Sequence, residues 1–234
     1  MDVGEGDGRE AERVSEELER ARYLTTSMCA CVSSLLQHAS ASSLSEPWES
    51  DMQRLALVLI RCASSSDQDM SVPCIGSMGS LGAKIDLAES LRGKEKEKGK
   101  EKEKGLMPPK INWLLSNSIL RTLESYTNSS NSNSEPERDI FLLEVCLSAF
   151  IDLHSSDDAD VLQNFLKLKA VDKLSISLSV FEGAVKELRR DNERGAKKSD
   201  SNNNSSDMRE ALVDFEETVL NMRSFLEYKS NYCK

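Results

Sequence analysis

Along most of this chain apolar residues recur three and four positions apart, the period of an α-helix that buries one face. From Arg9 to Ala41 the stripe is Val14, Leu18, Ala21, Leu24 or Thr25, Met28, Val32, Leu35 and Ala39, close to the a/d seam of a coiled coil. A second helix is predicted from the start signal Ser45-Glu46-Pro47-Trp48 to about Ala63, with Trp48, Met52, Leu55, Leu59 and Cys62 on its face. A third runs from Lys110 to Tyr126 over Ile111, Leu115, Ile119, Thr122 or Leu123, and Tyr126. After Ser134, the residues Ile140, Phe141, Leu142, Leu143, Val145, Leu147, Phe150, Ile151 and Leu153 leave little polar surface. Such a helix is expected at the centre, surrounded by others. A short helix then carries Val161, Phe165 and Leu168. Val171, Leu174, Leu178, Phe181, Val185 and Leu188 form the next stripe. The last is Met208, Leu212, Phe215, Val219, Met222 and Leu226, opened by the capping pair Asp207 and Glu210.

One segment reads two ways. Leu174, Ile176, Leu178 and Val180 alternate as a strand would, but the helical stripe is longer and no second strand with turn chemistry lies nearby. Helix is the reading retained. Between the helices the composition changes. Ser64 to Gly82 holds Ser, Asp, Gly and Pro73 and reads as a loop, followed by a short helical spacing at Leu81, Ile85, Ala88 and Leu91. Gly93 to Gly105 is GKEKEKGKEKEKG, alternating charge with nothing to bury. The expected architecture is all-α, a mostly antiparallel bundle of five to seven helices with disordered low-complexity insertions. A single helical domain would cover 9–229, interrupted by flexible segments near 64–80, 93–108, 127–134 and 191–206. Residues 1–8 would be a disordered N-terminus and 230–234 a C-terminal tail.

Composition narrows the function classes. The formal charge is −10, which disfavours binding of nucleic acid through the whole surface, because phosphate contacts need clustered Lys and Arg. No apolar run approaches the ~18 residues of a membrane span, and the acidic start MDVGEGDGREAERVSEE is not a secretory signal. The six cysteines are then expected as free thiols in a reducing compartment, cytoplasmic or nuclear. Cys29 and Cys31 lack the spacing of a zinc half-site, so Cys29 or Cys31, Cys62 and Cys146 are read as small buried packing residues, with no metal and no cofactor. His38 and His154 fall at helix ends, where a surface charge is expected. The glycines at 76, 79 and 82 follow no strand and lack the phosphate-loop pattern, so a flexible loop accounts for them.

No nucleophile, base and acid are tied together by any spacing here. The expected function is therefore non-enzymatic: a protein–protein interaction module, an adaptor, scaffold or assembly subunit working through amphipathic helix faces. The candidate partner-binding face comprises Val14, Leu18, Met28 and Leu35 on the first helix and Leu212, Phe215, Val219 and Met222 on the last. The alternative is a nuclear protein that contacts chromatin or nucleic acid. It would use the Lys-rich insertion and the basic segment Arg189, Arg190, Lys197 and Lys198.

Overall fold

The computed structural model describes residues 6–38, 49–65, 67–96, 111–128, 136–155, 163, 165–196 and 204–232. Every regular element among these residues is helical. The elements are α1 (Gly6–His38), α2 (Glu49–Ala63), α3 (Gln68–Lys96), α4 (Ile111–Asn128), α5 (Pro136–Leu153), α6 (Ala170–Ala196) and α7 (Asn204–Tyr232). They form an all-α bundle. Two helices share its centre: α3 packs on α1, α2, α4 and α5, and α5 packs on α3, α4, α6 and α7. The all-apolar α5 thus sits where its composition demands.

The 3-4 stripes become the core. Leu115, Ile119 and Leu123 of α4 are buried, as are Leu174, Leu178, Phe181 and Val185 of α6. The alternating stretch within α6 is helical, and Ile176 projects to solvent while Leu174 and Leu178 point inward. Lys169, with φ near 50°, takes the left-handed turn that lets the chain pass from the buried Phe165 and Leu168 into α6.

Most of the loop expected at 64–80, from Gln68 on, is instead the first half of α3. Asp67 starts it: its carboxylate accepts the Asp69 amide at 3.1 Å, and its own amide is held by Ser65 Oγ at 3.1 Å. Pro73 lies within the helix and forgoes one backbone bond. The small residues that resemble a loop are what allow close packing. Ser71, Ser77, Gly79 and Gly82 are buried, and a Cβ added at Gly79 would lie 2.7 Å from Ala149 Cα of α5. Packed on several sides, α3 has no single apolar stripe to announce it.

Element ends also run further than expected. Residues 6–8 belong to α1, 93–96 to α3, 127–128 to α4, 191–196 and 204–206 to α6 and α7, and 230–232 to α7. In 93–96 and 191–196 the charged Lys, Glu and Arg are good helix formers and continue the helix without an apolar stripe. In α6 the pair Arg194–Asp191 at 3.6 Å accompanies this extension. The remainder of the flexible segment 93–108, from 97 on, and all of 129–134 and 197–203 lie outside the described residues, as do Val161, Trp48 and the start signal at Ser45.

Candidate interaction face and cysteine cluster

The two seams that look alike in sequence have different fates. On α7, Leu212, Phe215 and Met222 are buried and Val219 packs against the core. Phe215 meets Phe141 of α5 edge-on at 5.0 Å and Phe181 of α6 at 5.8 Å. These four residues are internal, because α5 and α6 cover them, and they offer no face to a partner. On α1, Val14, Leu18, Met28 and Leu35 are 61%, 72%, 67% and 70% exposed. Helical geometry places Val14 and Leu18 on the same side as Cys29, Val32 and Leu36, which pack on the body. The seam therefore continues past the end of its support. Every described side chain from Arg13 to Leu24 is exposed. Leu24, Met28 and Leu35 make a second exposed row beside it.

Arg22 marks where support begins. Its guanidinium pairs with Asp67 and, at 2.6 Å, with Asp69, the two acids at the start of α3. The basic segment is drawn into the fold in part: Arg189 of α6 binds Glu216 of α7 at 2.9 Å, while Arg190 is exposed. Lys197 and Lys198 lie outside the described residues.

Three cysteines converge. Cys29 of α1, Cys62 of α2 and Cys74 of α3 place their sulfurs all within 4.8 Å of one another. The Cys74 thiol donates to Cys29 Sγ at 3.0 Å. Cys29 and Cys74 are buried and Cys62 is half-buried. Desolvation, with the neighbouring Cys29 and Cys62, pushes the Cys74 thiol far above its ordinary range, so that thiol rests neutral. Reading each cysteine alone as a packing residue missed the cluster. The only sequence signal is that three successive helices each carry a cysteine at or beside the buried face.

Two further titratable groups are perturbed. His154 is buried, not a surface charge: its ring stacks on Phe150 at 4.4 Å and meets Phe165 edge-on at 5.5 Å. Ser116 Oγ donates to the Asn112 carbonyl at 2.6 Å, so at its 2.9 Å contact with His154 Nε2 it is the acceptor. Nε2 then carries the hydrogen, and Nδ1 has no hydrogen-bond partner among the described residues. Burial, aided by the Lys229 cation, lowers the His154 pKa to about 3. This Ser–His contact is buried in the core, with Nε2 partnered and, among the described residues, Nδ1 not. Between α5 and α7, the Glu144 carboxylate accepts hydrogen bonds from Ser148 at 3.1 Å and Thr218 at 3.2 Å. Desolvation outweighs those bonds and raises its pKa.

Among the described residues no helix is long and apolar enough to cross a membrane. Comparison of the chain with protein-family models, with curated proteins and with solved structures finds no match.

Proposed function

We propose that this chain is a non-enzymatic interaction module, an adaptor or assembly subunit, that docks a partner helix on the exposed seam of α1. The observation that supports the reading is the overhang: Arg13 to Leu24 is helical yet exposed throughout, while its apolar stripe stays in register with the buried Cys29 and Leu36. An isolated helix of that length is marginal in water, so a partner that buried Val14, Leu18 and the Leu24–Met28–Leu35 row would stabilise it. Charge favours a different protein over a second copy. Glu17 borders the stripe at helical spacing, and the chain carries −10 overall. The fitting occupant is an amphipathic helix with Leu, Val or Met on one face and Lys or Arg along its edges. Reduced thiols fit a place of action in the cytoplasm or nucleus.

The test is the double variant Leu18→Glu, Leu35→Glu. Both side chains are exposed, so stability should change by no more than about 0.5 kcal/mol in each case. Partners recovered by mild affinity purification from the native source should form a small stoichiometric set and be lost from the variant. Titration with the purified partner should then show about thirtyfold weaker binding or more. If the variant unfolds, or recovers the same partners at the same affinity, the α1 seam is not the docking element.

A further inference from the structure

We propose that Cys29, Cys62 and Cys74 form a binding site for one thiophilic d10 ion, Zn(II) or Cu(I), which fastens α1 to α2 and α3. The inference does not depend on the docking role of α1.

Geometry carries it. Zinc–thiolate bonds are about 2.3 Å, which sets sulfurs sharing one ion about 3.8 Å apart in a tetrahedral site and about 4.0 Å apart in a trigonal one. The three sulfurs here lie within 4.8 Å of one another, and the closest pair is at 3.0 Å. The required spacing falls inside that range, so side-chain rotations of less than an ångström suffice. The donor set is three thiols with no carboxylate or imidazole among them, and soft sulfur selects Zn(II) or Cu(I) over Mg(II) or Ca(II). Cys62 is half-buried, while Cys29 and Cys74 are buried. Cu(I) would be satisfied by three sulfurs. Zn(II) would keep a fourth position for water on the Cys62 side.

The chemistry balances without an oxidant. Three S–H bonds break, three metal–sulfur bonds form, and three protons pass to solvent. The complex carries −1 with Zn(II) and −2 with Cu(I). Because binding displaces thiol protons, affinity should rise with pH.

The experiment uses the full-length chain, reduced and stripped of metal. Zn(II) is titrated against a chromophoric chelator, and Cu(I), kept reduced, against a Cu(I)-specific one. Co(II) serves as a spectroscopic stand-in for Zn(II), because its thiolate charge-transfer band grows with the number of bound sulfurs. One ion should bind per chain with three sulfurs, and binding should weaken about a hundredfold or more in Cys62→Ala. Cys31→Ala, which removes an exposed cysteine outside the cluster, should bind as the parent does. Thermal melting should rise with the ion in the parent and Cys31→Ala but not in Cys62→Ala. The unaltered protein gives a reading free of folding defects: with the ion bound, Cys29, Cys62 and Cys74 resist alkylation while Cys31 does not. Whichever of the two ions meets these conditions is thereby identified. Absence of stoichiometric binding of either ion overturns the proposal. So does binding that survives Cys62→Ala, or alkylation of the three cysteines that the ion leaves unchanged.

Discussion

His154 couples the core to acid. Its folded-state pKa of about 3 lies below the ordinary 6.5, so the unfolded chain binds a proton that the folded one refuses. Stability from this group is complete above pH 6.5 and is lost as pH falls toward 3, at about 1.4 kcal/mol per pH unit. Glu144 and Asp152 act in the opposite sense, since desolvation raises their pKa values and folding then favours their protonated forms. Chemical denaturation of His154→Gln beside the parent isolates the histidine, because the other groups are common to both. The stability difference between the two should shift by about 1.4 kcal/mol per unit between pH 6 and pH 4, in favour of the variant. A difference that stays constant over that range would mean the imidazole is already solvated in the folded protein. The sequence places His154 correctly at the end of α5 but misjudges its exposure. The side chain folds back over Phe150, and Phe165, remote in the folding pattern until α6 is placed, closes over it.

At the level of elements, the legible helices are those with a 3-4 apolar stripe or, in α5, an apolar surface nearly all round. Two glycines show why α3 is not among them. Gly79→Ala would push a methyl against the Ala149 backbone, and neither helix can yield without separating, so a loss of about 1–3 kcal/mol is expected. Gly183→Ala, on the exposed side of α6 with no atom within 4 Å of the new methyl, should instead stabilise by about 0.5–1 kcal/mol through helix propensity alone. Urea midpoints for the two variants, moving in opposite directions, are the measurement; loss of equal size in both would leave the α3–α5 approach without energetic weight. In sequence Gly183 sits inside a legible apolar stripe, whereas Gly79 does not and reads as part of a loop. Their energetic difference is set by α5, and no local pattern in α3 records how closely another helix will pass. The same holds for the α1 and α7 seams: Leu18 and Leu212 share a spacing and part only because α5 and α6 extend over the one and nothing described extends over the other.

For the molecule as a whole, this leaves a bundle with unequal support. Helices α3 and α5 are enclosed by neighbours, with Met78, Leu81, Leu147 and Phe150 fully buried, while α1 begins as an unsupported helix and gains contacts only from about Arg22 onward. The three cysteines lie in that supported part, brought together by the assembly of α1, α2 and α3, which is why spacing along the chain could not foretell them. Such a structure should open in stages. In the isolated protein, amides of residues 13–20 should exchange hydrogen at close to the rate of a free helical peptide. Amides around Met78 and Phe150 should exchange only on global unfolding, slower by about a thousandfold or more. Binding of a partner helix should transfer protection to residues 13–35 and leave the α3–α5 amides as they were. If residues 13–20 are already as protected as α5 in the monomer, the first half of α1 is not a free face, and docking there has lost its physical premise.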